Sequence, residues 1–367
     1  MRDALAGSAA ALLLLVATPA QSTIVVQGGG MAFAQAVDAA NPGDTLLVRP
    51  GTYYTTTITK GLRVLCDPNV DYLCNIFGPG FYVRGIPAGE QFTLRGGKIS
   101  GSVHLGFETG VWNSAGGVTF DGVRFETSEN RFEANAALAF RDCTMGTLHL
   151  EASTASFADC TIQGGVFQAA MLIVGGDVSM SGGSVTAFGL FQTRAVPAIA
   201  VGSGTLHLAG DASTRIAAGS NGPPVPAIEL GPNAVLRLHP AVTLVPVNSP
   251  PIVGAGTVEM LPLPTVAISG AAVGQVLTAD MRAEPGSYSA VFLSWAVPPV
   301  ALAPFGTLWI AGEAPLMFGG TVPASGALSA TTGVPGVVAD ATIVAQALSI
   351  TTGRRLLVGT PTVFVVR

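Results

Sequence analysis

Charge is scarce in this sequence: Asp, Glu, Lys and Arg together make up 11% of 367 residues, where about 25% is usual. What charge there is sums to −5, so no basic field exists to hold a phosphate backbone, and nucleic acid is not an expected partner. Long apolar runs are also missing. After Ala20 no stretch of ~18 residues stays free of Pro, Gly and charge, which leaves nothing to span a membrane as a helix. The apolar period of an amphipathic helix is absent from the middle of the chain. No Gly-x-Ser-x-Gly elbow stands in a strand-to-helix context, so Ser, His and Asp are not read as a catalytic triad.

Glycine and proline are abundant, at 47 and 25 residues. The chain must turn often. Apolar residues reach 49%, ample material for a core, and the length suggests about two domains.

Arg2 precedes a nine-residue apolar run, 9–17, and the small residues Thr18-Pro19-Ala20. Residues 1–20 read as a secretory signal peptide, whose apolar run is too short to span a bilayer; a buried N-terminal helix is the competing reading. The expected location is secreted or cell surface. Export would place Cys66, Cys74, Cys143 and Cys160 in an oxidising compartment, where an even count favours pairing. Cys66 and Cys74 flank the turn Asp67-Pro68-Asn69-Val70-Asp71, and a bridge between them is expected. The cysteine spacings match no common zinc pattern.

From about 92 to 260 the chain repeats. Thr93-Leu94-Arg95-Gly96-Gly97-Lys98-Ile99 recurs as Thr119-Phe120-Asp121-Gly122-Val123-Arg124-Phe125 and Ala139-Phe140-Arg141-Asp142-Cys143-Thr144-Met145. Further copies centre on Phe157 and Met180. Short alternating strands with glycine corners, at uneven steps, fit a solenoid whose turns stack ~4.8 Å apart while the loops vary. Leu94, Phe120, Phe140, Phe157 and Met180 are the expected inward stack; Ile99, Phe125, Met145, Ile162 and Val185 form another. Cys143 and Cys160 fall at equivalent positions of adjacent copies, within disulfide reach, with two buried free thiols as the alternative.

Ahead of the repeat, Phe33, Ala36, Val37 and Ala40 share one helical face, and Asn41-Pro42-Gly43-Asp44 turns into Thr45-Leu46-Leu47-Val48, closed by Pro50-Gly51-Thr52-Tyr53. This stretch resembles the N-terminal capping helix and first turn of right-handed parallel β-helix proteins of the pectate lyase-like superfamily. The resemblance implies an all-β fold: a right-handed parallel β-helix with an N-terminal capping helix over 21–260. Residues 261–367 follow the linker Leu261-Pro262-Leu263-Pro264 and read as six to eight strands of an antiparallel β-sandwich, capping the solenoid's far end or attaching to a surface. Members of the superfamily include polysaccharide lyases, glycoside hydrolases, esterases and non-catalytic surface proteins. The paired aspartates and Arg-Ile-Lys segment of polygalacturonase-like members are absent, so no catalytic residue is assigned.

Aligning the copies places Arg95, Asp121 and Arg141 in one outward column and Lys98 and Arg124 in another. They form either a grip for an acidic polysaccharide, with Arg on uronate carboxylates, or a solvated ladder of alternating charges. Loop 126–133 carries Glu126, Glu129 and Glu133, an acid and base pair at glycosidase-like separation or solvated loop residues. Asp142 and Asp159 stack at corners, where calcium is conceivable beside plain turn chemistry; no other cofactor or metal is expected. His149 and His207, both in Gly-Thr-Leu-His-Leu, are expected to face solvent. The leading reading is a secreted non-catalytic protein that contacts extracellular polysaccharide or the cell envelope; the alternative is a lyase or hydrolase acting on acidic polysaccharide.

Overall fold

The computed structural model describes residues 21–366 apart from 75–79, 102–107, 128, 165–167, 189–195, 220–222, 303–304, 311–313, 335 and 337–339. The expected signal peptide lies outside the described residues. Within them the chain is all-β with one helix, Ala32–Ala39, here α1.

Residues 23–260 wind into stacked parallel strands, a solenoid-like body with three faces. Face one begins with Thr23–Val26, Thr45–Val48, Arg63–Cys66, Gln91–Arg95, Gly117–Asp121 and Ala137–Arg141. Face two begins with Thr57–Ile58, Tyr82–Arg84, Glu108–Trp112 and Glu129–Glu133. Face three runs from Gly51–Tyr54 to Thr243–Val245 as a nine-stranded sheet. From Thr147–Ala158 onward, faces one and two fuse into long strands, followed by Met171–Ser181, Ile199–Ala209 and Ile228–Leu238. These strands bend at positive-φ residues. Gly176 has φ 87°, and a Cβ there would meet the Ser153 carbonyl oxygen at 2.1 Å, so glycine is required by both the turn and the approach of the neighbouring strand.

The inward stack is as expected: Leu94, Phe120, Phe140, Phe157 and Met180 are successive register partners. The column continues up through Val64, Leu46 and Ile24 and down through Leu208, Leu238 and Met260. Phe120 and Phe140 stack at 5.3 Å, and Phe140 and Phe157 at 4.7 Å with their planes 3° apart. That spacing is the strand separation itself. A second column, Val83, Val111, Phe132, Leu150, Ile173 and Val201, lines face two. Helix α1 closes the N-terminal end: Phe33 is fully buried, with its ring 4.8 Å from Tyr72.

The last hundred residues form antiparallel sheets. One holds Thr265–Ser269, Val276–Arg282 and Ala327–Gly333; another centres on Tyr288–Trp295 and Thr342–Ile350. Ile268, Met281, Val291, Ala347 and Phe364 share one apolar core between them. This unit does not cap the far end of the stack. It lies on the outer side of face one, where Ala137 and Ala139 pack with Trp309, Ile310, Val344 and Val363. Side-chain hydrogen bonds cross the junction, from Thr93 Oγ1 to Thr342 Oγ1 at 3.1 Å and from Ser156 Oγ to the Pro361 carbonyl at 2.8 Å.

The four cysteines are free thiols, which corrects the expected bridges. Cys66 sits on face one and turns its Sγ to the Tyr72 hydroxyl at 3.1 Å, while Cys74 follows a strand of face three. Cys143 and Cys160 do occupy adjacent equivalent corners, but stacked side chains point the same way. Strand spacing keeps such Cβ atoms ~4.8 Å apart, whereas a disulfide wants about 3.8 Å. Cys143 Sγ donates instead to the Arg141 carbonyl at 3.2 Å, and Cys160 Sγ to that of Ala158 at 3.4 Å. Burial pushes the Cys66 thiol up to about 12 and Cys160 well above the ordinary range, so neither is a ready thiolate nucleophile.

Two outcomes are expected. Thiol titration of purified protein without reductant should find four reactive groups in denaturant and almost none in the native state; two or fewer in denaturant would mean bridges. Phe140→Ala should cost about 3–5 kcal/mol of stability, read as a lowered denaturation midpoint.

Candidate binding face

The charged residues singled out from the repeats do not share a surface. Arg95, Asp121 and Arg141 are register partners in one outward column, as aligned, but that column lies under the C-terminal unit. Asp121 is 2% exposed. Arg95 Nη1 faces Asp340 Oδ1 at 3.9 Å, and Arg141 Nη2 donates to the Ile268 carbonyl at 3.4 Å with its guanidinium over the Phe364 ring. Arg95 and Arg141 hold two parts of one chain together, and with Asp121 buried between them the column presents no open face to a polysaccharide. Lys98 and Arg124 are partners on face three. Lys98 Nζ meets Asp71 at 3.2 Å and Glu126 at 3.3 Å, and the Asp71 hydrogen bond leads in holding its ammonium above the usual range. Arg124 reaches Glu126 at 3.9 Å with most of its side chain in solvent, a weak surface pair.

Other expectations also move. The loop expected over 126–133 contains the strand Glu129–Glu133 of face two, because Phe132 and Asn130 point inward and are fully buried. Asp142 and Asp159 do stack at corners with φ of 50° and 53°, and burial, then the Asp142 charge, raises the Asp159 carboxyl. Among the described residues no three His, Cys, Asp or Glu converge as metal ligands.

His207 is buried rather than solvent-facing. It lies on face one beneath the C-terminal unit, Nε2 3.0 Å from Asp177 Oδ1, while Thr307 Oγ1 donates to the other carboxylate oxygen. Burial would raise the Asp177 carboxyl, but the His207 contact, the Thr307 hydroxyl and the Arg237 charge outweigh it and hold it below the ordinary value. His149 lies on face two, in register with Arg131 and Leu172, so the two histidines occupy different faces.

Face two carries the open constellation. Tyr82, Gly110, Arg131 and His149 run down one outward column; Arg84, Trp112, Glu133 and Glu151 run down the next. The Arg84 guanidinium sits 4.9 Å from the Tyr82 ring centre and 4.8 Å from that of Trp112, and the two rings meet edge-on at 5.1 Å. Trp112 leans across into the first column, which only glycine permits: a Cβ on Gly110 would lie 2.1 Å from the indole. One turn below Trp112, Arg131 Nη2 stands 3.4 Å from both Glu133 and Glu151. Their side chains are more than a third exposed. The surface therefore offers flat aromatic and guanidinium planes beside carboxylate acceptors at one strand spacing. Such surfaces take ligands with alternating apolar faces and hydroxyl rims.

Sequence reasoning missed this face because it tracked two strands per turn and left Tyr82–Arg84 and Glu108–Trp112 outside the repeat. One signal was available: a glycine in mid-strand two residues before a tryptophan marks a close approach. No protein-family model and no curated protein matches the chain.

Asp177→Asn should loosen the docked C-terminal unit by about 1.5–3 kcal/mol, the scale of a hydrogen bond to a charged group. Because the folded carboxyl is depressed, the stabilisation in the natural protein is fully present above the unfolded value of ~3.9 and is lost as pH falls through the folded value. Melting measured from pH 7 downward should show the natural and variant proteins converging in acid; a constant gap would refute the linkage.

Proposed function

We propose that this chain is an exported parallel β-helix protein of the pectate lyase-like type, right-handed, closed by α1 and clasped along face one by a C-terminal sandwich. It contacts extracellular or cell-envelope polysaccharide without cleaving it. The domain limits are 21–260 and 261–367, with residues 1–20 removed on export. The capping motif at 32–53, the three-faced stack and the docked antiparallel sheets support this reading.

The observation that carries the binding role is the cluster of exposed Arg84 with half-buried Tyr82 and Trp112, in register with Arg131, Glu133 and Glu151. Trp, Tyr and Arg are the residues on which binding energy concentrates. A sugar ring laid on the indole and guanidinium planes buries its C–H face, and its hydroxyls reach the carboxylates of the next turns. The non-cleaving role follows from how those carboxylates are engaged. Glu133 and Glu151 share one guanidinium, which takes up the charge of both carboxylates in ion pairs. The binding surface is thus face two, in place of the arginine columns of faces one and three.

Affinity electrophoresis against polygalacturonate, xylan and a neutral glucan decides the matter. The natural protein should be retarded by at least one of them, Trp112→Ala at least 10-fold less, about 1.4 kcal/mol, and Arg124→Ala unchanged. Equal retardation of natural and Trp112→Ala proteins would sink the binding role, and release of unsaturated oligosaccharides would replace it with a lyase. Sequencing of the exported protein should begin at Gln21.

A further inference from the structure

A cleft opens at the rim of face one, where the C-terminal unit meets the corner that follows face two. Its floor is the start of face one: Gln91, Gly117 and Ala137 are successive register partners, with Thr119 and Ala139 in the next outward column. Pro298, Trp309 and Val363 of the C-terminal unit form the opposite wall, and the space between is about 90 Å³. The floor is low because of Gly117. This glycine lies in a strand with no positive φ, and a Cβ added to it would make ordinary contacts, the nearest being Gln91 Cγ at 3.6 Å and Nε2 at 3.8 Å. Neither a turn nor a close approach calls for glycine here; its effect is to leave room beside the Gln91 amide.

The opposite wall is held from behind. Gln346 is fully buried; it accepts from the Trp309 amide at 2.9 Å and donates to the Thr307 and Gly359 carbonyls, each at 2.9 Å. Trp309 is therefore fixed before any ligand arrives, which lowers the cost of binding against it. The polar capacity sits on the floor. Gln91 Nε2 donates to Thr119 Oγ1 at 3.4 Å, and an amide nitrogen with two protons and a hydroxyl that accepts each keep a proton to offer. Among the described residues of the lining the one charged side chain is Glu90, one of whose oxygens accepts from the Gly61 amide at 2.7 Å. A free carboxylate entering the cleft would face Glu90 with no cation beside it. The space equals roughly three water molecules at ~30 Å³ each, the bulk of an acetyl group or a methyl ester and well short of a sugar ring.

We propose that this cleft receives the methyl-tipped carbonyl substituent of a decorated polysaccharide, an acetyl group or a methyl ester. The methyl packs against Ala137, Ala139 and Trp309, and the carbonyl oxygen accepts from Gln91 and Thr119, the pattern of an apolar pocket with a few convergent polar groups. The cleft lies on the same turns of the stack as the Trp112 cluster: the corner 85–90 joins Arg84 to Gln91, and the corner 113–116 joins Trp112 to Gly117. A chain laid on face two that continues over the corner brings its next units to the mouth. The proposal rests on the polysaccharide-binding reading of face two and adds to it a preference for substituted over bare polymer. It also gives the C-terminal unit a part in recognition, as one wall of the site.

Affinity electrophoresis on two matched pairs tests this: acetylated xylan against the same xylan deacetylated in mild base, and methyl-esterified polygalacturonate against its saponified form. The two pairs separate the two sources of the carbonyl. The natural protein should be retarded at least 5-fold more by the substituted member of one pair, and Gly117→Val, which fills the cleft, should bring that ratio close to one. Trp112→Ala should weaken retardation by both members alike. Equal retardation of the natural protein by both members of both pairs would overturn the cleft proposal while face two stands, and so would a ratio that survives Gly117→Val. Retardation by no polymer would remove the face-two reading and this proposal together. Should Gly117→Val fail to fold, Gln91→Leu decides by withdrawing the amide donor: the ratio should fall, and an unchanged ratio would overturn the proposal.

Discussion

A parallel stack puts each residue directly over its register partner, about one strand spacing away. Everything else in this molecule is a consequence of that placement. An inward phenylalanine is best followed by another, since rings repeated at strand spacing can lie face to face, as Phe120, Phe140 and Phe157 do. The same rule is hostile to charge on the inside and wasteful of it on the outside, where like would fall on like. A composition with 11% charged residues is what the stacking rule tolerates. One outward row alternates in sign, with Asp121 between Arg95 and Arg141, and where like does fall on like, Lys98 on Arg124 and Glu133 on Glu151, the pair shares a counter-ion, Glu126 in the first case and Arg131 in the second. The rule also separates turns from loops: the stack needs only that strands return in register, so the steps between Leu94, Phe120, Phe140, Phe157 and Met180 vary freely.

Sheets of parallel strands are ordinarily covered on both sides, and face one obeys this. Its outward column reads Thr93, Thr119, Ala139, Ser156 and Ser179, side chains too small to shield the strands from water and too uncharged to be a solvated surface. They let the C-terminal sheets approach until Ser156 bonds the Pro361 carbonyl and Trp309 packs beside Ala139. Once that cover is in place, Arg95 and Arg141 find their partners across the junction, and His207 becomes buried with Asp177 for company.

The columns were legible in the sequence because their period is carried by apolar residues at fixed offsets from glycine corners. The register of Arg95, Asp121 and Arg141 was legible for the same reason. Their exposure was not, since nothing local to Arg141 tells that Phe364 will lie on it. The small-residue column was the missing clue: a truly solvated row would carry Lys and Glu where this one carries Thr, Ala and Ser. Face two escaped notice because its strands Tyr82–Arg84, Glu108–Trp112 and Glu129–Glu133 are interrupted by corners and share no common motif. Their kinship is visible only through the inward residues Val83, Val111 and Phe132. The cysteines misled because chain proximity and equivalent position were taken for disulfide geometry, whereas stacked Cβ atoms stay a strand spacing apart, about 4.8 Å, wider than the roughly 3.8 Å a bridge needs.

Stability in a stacked body is close to a sum over neighbouring turns, which by itself allows either end to fray independently. The C-terminal unit changes that. Its bonds land on Thr93, Arg141, Ser156, Asp177 and Glu259, turns far apart along the stack, so loss of any one of them strains contacts made to the others. A clasp of this kind converts a one-dimensional array into a cooperative unit, and it does so at the expense of face one as a binding surface. With face one covered, and face three carrying the Lys98, Asp71 and Glu126 ion pairs, the Tyr82, Arg84 and Trp112 cluster sets face two apart, and the binding role proposed above rests on it. The division of labour among the faces follows from which outward columns are small, which are ion-paired and which are aromatic.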